Sequence, residues 1–84
     1  MKNKVLIELI VPGLDNSYDI YIPINKKVGS IINLLQKAIF ELSDGIYVPT
    51  SNTFIYNSDN GEKYDINIII KDTDIRNGSK IVLM

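Results

Sequence analysis

An α+β fold, in which a mixed sheet carries one helix packed across one face, is predicted by three features of this sequence. Residues 5–11 and 17–22 alternate apolar and polar side chains, Val28–Leu42 repeats its apolar residues at helical period, and residues 80–84 form a short, β-branched, apolar run with no room for a helix. Laying the helix across the sheet is the economical way to bury both kinds of apolar face. The 84 residues are expected to form a single domain, 1–84.

In 5–11, placing Glu8 in water turns Val5, Ile7, Leu9 and Val11 toward the core and leaves Leu6 and Ile10 beside Glu8 on the outer face. Pro12-Gly13-Leu14-Asp15-Asn16 is a turn cluster. In 17–22, Tyr18, Ile20 and Ile22 point inward, and Asp19 and Tyr21 outward. Pro23 cannot donate to a ladder and suits a strand end or a sheet edge. The two segments predict a hairpin with a loop of about five residues.

The helical stripe is Val28, Ile31, Ile32, Leu35, Ile39 and Leu42, with Lys37 and Glu41 opposite and Leu34 and Phe40 on its flanks. Asn25 has N-cap chemistry, but a start at Val28 leaves a lysine in that position. Gly45 is expected as the C′ residue that ends the helix. A loop follows at 46–52, containing Pro49, then a short strand at 53–57, a turn at 58–61 and a short return strand from Tyr64. For 65–70 two readings stand: Ile68-Ile69-Ile70 forms a strand, or it is irregular chain burying one or two isoleucines. Asn77-Gly78 is a turn signal before the last strand, because both residues tolerate positive φ. Ile70, Ile75, Ile81 and Leu83 are spaced as anchors around it, and a strand this apolar belongs in the middle of a sheet.

Composition excludes several functions. A net charge of −1 leaves no basic face for a nucleic acid, and Lys26-Lys27 is only a pair. With no Cys there is no disulfide framework or thiol chemistry, and with no His the commonest general base and zinc ligand are missing. A serine nucleophile would lack a base. Asp72 and Asp74 are expected as turn-capping carboxylates rather than metal ligands. Asn57-Ser58-Asp59-Asn60-Gly61-Glu62 has its glycine one place too early for a calcium loop and no distal Glu, so a hairpin turn is expected there. No catalytic residue, cofactor or metal is expected. The start, Met1-Lys2-Asn3-Lys4 before an apolar run, has the look of a signal peptide, but Glu8 breaks the run and Pro12 stops it. No segment approaches the ~20 apolar residues of a membrane span. Direct membrane insertion is therefore not expected, and a cytoplasmic protein is.

The order of hairpin, helix, strand, short strand, turn and strand is that of the β-grasp. Ile7, Leu9, Ile20 and Ile22, the helix stripe, Gly45-Ile46, Ile55, Tyr64 and the C-terminal anchors together resemble ubiquitin-like proteins over nearly the whole chain, and within them the small bacterial YukD-like (EsaB-like) family. The chain departs from ubiquitin in the loop before Thr53 and the turn after Tyr56, both of which are longer here. It also reaches Met84 without the Gly-Gly tail that conjugated and sulfur-carrying relatives thread into an activating enzyme, so those roles are not expected to carry over. The resemblance implies a non-enzymatic, protein-binding accessory of a type VII (WXG100) secretion system in Gram-positive bacteria. A stand-alone β-grasp adaptor or subunit of another complex is the alternative, and a degenerate sulfur carrier a third.

The ubiquitin pattern also implies a register. Leu6 faces Tyr21, Glu8 faces Asp19, and a parallel last strand brings Lys80 beside Glu8 and Val82 beside Ile10. Tyr56 then lies across from Val82, and Phe54 beside Met84. Ile10, Phe54, Tyr56, Val82 and Met84 would form an apolar surface on the face the helix leaves open, where a solvated sheet is normally polar. These five are the candidate protein-binding residues. Two other readings remain: the 46–52 loop folds over them, or a second copy covers them.

Overall fold

The structure, a computed structural model, describes residues 3–84; Met1 and Lys2, part of the basic start discussed above, lie outside the described residues. Strands β1 (Lys4–Val11) and β2 (Asn16–Pro23) form the antiparallel hairpin, with Leu6 opposite Tyr21 and Glu8 opposite Asp19. A 3₁₀ turn at Pro12–Leu14 joins them, closed by Asp15 in the left-handed region (φ 51°) with its N–H donating to the Pro12 carbonyl at 3.0 Å. β1 begins one residue earlier than alternation alone marks, and β2 is one residue longer at each end.

Helix α1 spans Val28–Leu42, as its periodicity predicts. Val28, Ile31, Ile32, Leu35 and Ile39 are buried against the sheet, but Leu42 is 59% exposed. The stripe ends one turn early because Leu42 is the last helical residue and stands level with the hairpin turn, beside Leu14 and Tyr18 in an open cleft. The helix stops in a Schellman arrangement displaced by one residue from expectation. Asp44, not Gly45, is C′: its φ is 53°, its N–H donates to the Glu41 carbonyl, and the Gly45 N–H (φ 81°) donates to the Phe40 carbonyl at 2.8 Å. Aspartate tolerates the left-handed region well enough to take the place usually given to glycine.

The helix start has no side-chain cap. Lys27 occupies the cap position in an extended conformation, and the Val28 and Gly29 N–H groups donate to the carbonyls of Ile68 (2.8 Å) and Ile66 (3.0 Å). The open question of 65–70 is thereby answered. The segment is irregular, with one isolated bridge from Ile69 to Lys27 and a 3₁₀ turn at Ile70–Asp72, and of its isoleucines only Ile70 is fully buried. Its carbonyls satisfy helical N–H groups that would otherwise be orphans.

Strand β3 is shorter than predicted, Ile55–Asn57, although Phe54 still exchanges two backbone hydrogen bonds with Met84 (3.0 and 3.1 Å). The return strand expected from Tyr64 is not formed. It is reduced to a bridge between Tyr56 and Lys63, because the Asn57 and Tyr64 N–H groups find the Glu62 and Ile55 carbonyls and the chain then turns away to cap the helix. The 58–61 turn is a hairpin turn as expected, with the Asn57 and Asn60 side-chain carbonyls accepting the Asp59 and Glu62 N–H groups.

Strand β4 (Lys80–Leu83) lies in the middle of the sheet, parallel to β1 and antiparallel to β3, in the order β2-β1-β4-β3. The core is one cluster: Ile7, Leu9, Val11 and Ile22 from the hairpin, Val28, Ile31, Ile32, Leu35 and Ile39 from the helix, Ile55, and the anchors Ile70, Ile75, Ile81 and Leu83, all at most 4% exposed. Val5 and Ile20 pack against it half-buried. The result is a mixed four-stranded sheet with one helix across one face, the β-grasp arrangement.

Candidate functional site: the open face of the sheet

The face turned away from the helix is built in rows, because paired residues on adjacent strands project to the same side. Ile10 on β1 pairs with Val82 on β4, and Val82 pairs with Tyr56 on β3, so three apolar side chains run edge to edge across three strands. All three are half-buried. The next row is charged: Asp19, Glu8 and Lys80 on β2, β1 and β4. Met84, 60% exposed, extends the apolar row beyond the end of β4, beside its partner Phe54.

Phe54 is not offered bare. Its ring packs partly against the core at the sheet edge, and the Lys63 ammonium stands 4.4 Å from the ring centroid. That cation–π contact was not legible in the sequence, where Lys63 is one lysine among many in a turn region. Of the five candidate residues, Ile10, Val82 and Tyr56 form the row, Met84 lies exposed next to it, and Phe54 closes the edge under Lys63.

The 46–52 loop does not fold over this row. It is fastened to the helix by Gln36, which is 3% exposed on a face otherwise made of valine, isoleucine and leucine. The Gln36 Oε1 accepts from the Thr50 N–H (2.9 Å) and the Tyr47 hydroxyl (2.7 Å), and its Nε2 donates to the Thr50 carbonyl (2.9 Å). A buried amide must find such partners. The signal for this was available: Gln36 follows Ile32 by one helical turn and so lies on the apolar stripe.

Beneath the sheet's β3 edge, Asp74 ties two segments together instead of capping a turn. Its carboxylate accepts from the Tyr64 hydroxyl (2.7 Å) and the Asn57 Nδ2 (3.1 Å), while Thr73 performs the turn-capping by accepting the Ile75 N–H. Desolvation by burial, then the hydrogen bond to Asp74, raises the Tyr64 hydroxyl far above the ordinary tyrosine range. Among the described residues no group of three or more acidic side chains is placed to hold a metal ion, and no helix is long and apolar enough to cross a membrane.

No family model matches the chain, and no curated protein matches it in sequence. Solved structures do match in fold. The EccD5 ubiquitin-like domain from Mycobacterium xenopi superposes with a TM-score of 0.79 at 10% identity, covering 96% of this chain and 92% of that one. The ubiquitin-like domain of the Mycobacterium tuberculosis type VII secretion system protein EccD1 gives 0.76 at 9% identity, covering 95% and 96%. A chain of the MycP5-free ESX-5 inner membrane complex gives 0.81 at 11% identity; it covers 98% of this chain, which spans only 21% of that much longer one. These likenesses define the class of fold, ubiquitin-like β-grasp.

Proposed function

We propose that this chain is a non-enzymatic, ubiquitin-like protein-binding module of the YukD-like (EsaB-like) kind, an accessory of a bacterial type VII secretion system that acts in the cytoplasm. The observation that carries the binding role is the Ile10–Val82–Tyr56 row: an apolar band on a solvated sheet face, left uncovered by the helix and by the tethered 46–52 loop. Tyr56 is its anchor, a large half-buried residue with a polar tip. The association with secretion is supported by the fold, which domains of the mycobacterial type VII proteins share.

The test is a photo-crosslinking residue placed at Val82 in the native host, beside the double variant Tyr56→Ala/Val82→Ser. The proposal expects an adduct with a secretion component, such as a WXG100 protein or a membrane ATPase, and loss of that partner in a double variant that still melts cooperatively. Adducts with an unrelated complex would replace the secretion assignment by a stand-alone adaptor. Full recovery of the partner by the folded double variant would remove the open face as the docking site.

A further inference from the structure

The sheet has two edges, and among the described residues only one is closed. At β3, the carbonyl of Ile55 and the N–H of Asn57 are occupied by the chain's own 62–64 segment. At β2 the hairpin register fixes which groups face outward. Ile24 donates to the Asn3 carbonyl, so Ile22, Ile20 and Tyr18 hydrogen-bond to β1, and the backbone groups of Ser17, Asp19 and Tyr21 point away from the sheet. The free stretch is bounded at both ends. Pro23 has no N–H, and the Ser17 N–H is taken by the Asn16 side chain at 2.8 Å. Between these limits the N–H groups of Asp19 and Tyr21, and the carbonyls of Ser17, Asp19 and Tyr21, have no partner among the described residues.

The side chains along this edge specify what could pair with it. On the open face, the charged row runs Lys80, Glu8, Asp19 and then ends. Glu8 has the lysine on one side; Asp19 has only a second carboxylate as its neighbour, an unfavourable cross-strand pair. On the helix-facing side the edge carries Tyr18 and Ile20, both half-buried. Beside Tyr18 lies a cleft of about 440 Å³ whose outer wall is Leu42 and Ile46, 59% and 75% exposed. Those two exposed side chains have no role in the core or in the row described above.

We propose that the β2 edge binds an extended peptide segment of another protein as an added strand, with a lysine or arginine opposite Asp19 and apolar residues on either side of it facing Tyr18, Ile20 and the Leu42–Ile46 cleft. The basic residue gives Asp19 the cationic neighbour that Lys80 already gives Glu8, and the free N–H and carbonyl groups supply the ladder. A second copy of this chain fits poorly. In each antiparallel register that pairs the outward groups of 17–21 with themselves, the two Asp19 side chains fall opposite or diagonal to each other, with Glu8 behind each. This site lies at the opposite end of the sheet from Tyr56 and stands or falls independently of it.

The probes are two blocked seven-residue peptides with alternating threonine and valine, one carrying lysine at its centre and the other glutamate, titrated into ¹⁵N-labelled protein. The proposal expects the lysine peptide to bind at least about threefold tighter, a preference that weakens with salt and reverses in Asp19→Lys. It also expects the Asp19 and Tyr21 amides to gain protection from exchange, with shifts at Ile46 and none at Tyr56. Equal binding of the two peptides, shifts centred on Tyr56 and Val82, or a concentration-dependent dimer that protects the Asp19 amide would each overturn it. Asp19 is exposed, so its substitution tests recognition without testing the fold.

Discussion

Replacing Gln36 by alanine isolates the tether that holds the 46–52 loop on the helix side of the molecule. Three hydrogen bonds disappear, to the N–H and carbonyl of Thr50 and to the Tyr47 hydroxyl. Each is worth about 0.5–1.5 kcal/mol net, and Thr50 is exposed, so its groups recover water once released; a loss of about 2–3 kcal/mol is expected. In a domain this small that lowers the melting temperature by about 8–24 °C. Gln36→Leu preserves volume but offers Thr50 nothing, and should release the loop as well. The discriminating assay is amide exchange. In wild type the Thr50 amide is protected by Gln36, and in either variant it should exchange like free chain while Leu35 and Ile39 stay protected. If Thr50 exchanges at the wild-type rate in Gln36→Ala, or stability falls by less than about 0.5 kcal/mol, the tether is not what positions the loop.

Three further outcomes follow from the same geometry. Ile81→Ala, on the central strand at 1% exposure, should cost about 2–5 kcal/mol in urea unfolding, and a melt within a degree or two of wild type would contradict its place in the core. The folded state holds the Tyr64 proton more tightly than the unfolded chain does, so that contribution to stability is complete below about pH 10 and is lost as the pH rises further. Tyr64→Phe should flatten the alkaline limb of a stability profile, and an unchanged limb would locate the titration elsewhere. At Gly29 a Cβ would sit 3.3 Å from the Ile66 carbonyl oxygen, so Gly29→Ala trades a helix-propensity gain of about 1 kcal/mol against a small shift, whereas Gly29→Leu should cost about 1–3 kcal/mol by displacing the 66–68 carbonyls. Equal stability of the two variants in thermal melts would show that the 66–68 segment yields freely.

What could be seen in the sequence was whatever repeats with a period. Alternation around Glu8 and Asp19 set the hairpin faces, and the spacing from Val28 to Ile39 located the helix, because burial on one side imposes those periods. The candidate row was legible for the same reason, since strand pairing carries Ile10, Val82 and Tyr56 to one face once the register is known. Single contacts made at long range left no period. The helix start is completed by carbonyls of Ile66 and Ile68, whose identity as isoleucine is irrelevant to the bond. The return strand at Tyr64 failed because its residues were needed for that cap and for Asp74. At the displaced helix end Asp44 and Gly45 both take positive φ, so the glycine marked the region correctly but stands one place beyond C′. Leu42 and Gln36 exchanged the roles their hydropathy suggests, and only the position of the neighbouring loop explains why.

The way α1 begins has a consequence for the order in which a ribosome delivers this fold. The helix's far end is closed locally by Asp44 and Gly45, but its near end waits for Ile66 and Ile68, and the second edge of β1 waits for β4. A nascent chain emerging N-terminus first can therefore form the hairpin, but it finishes the helix only after 66–68 has emerged and covers the second edge of β1 only after 80–83 has left the exit tunnel. During that interval the inner edge of β1 and the apolar face of Ile7 and Leu9 are exposed together, the combination most open to wrong pairing. On stalled chains extended by a C-terminal linker, chaperone contacts should accordingly persist until the linker carries residues 80–83 clear of the tunnel and vanish abruptly there, rather than decline with each element made.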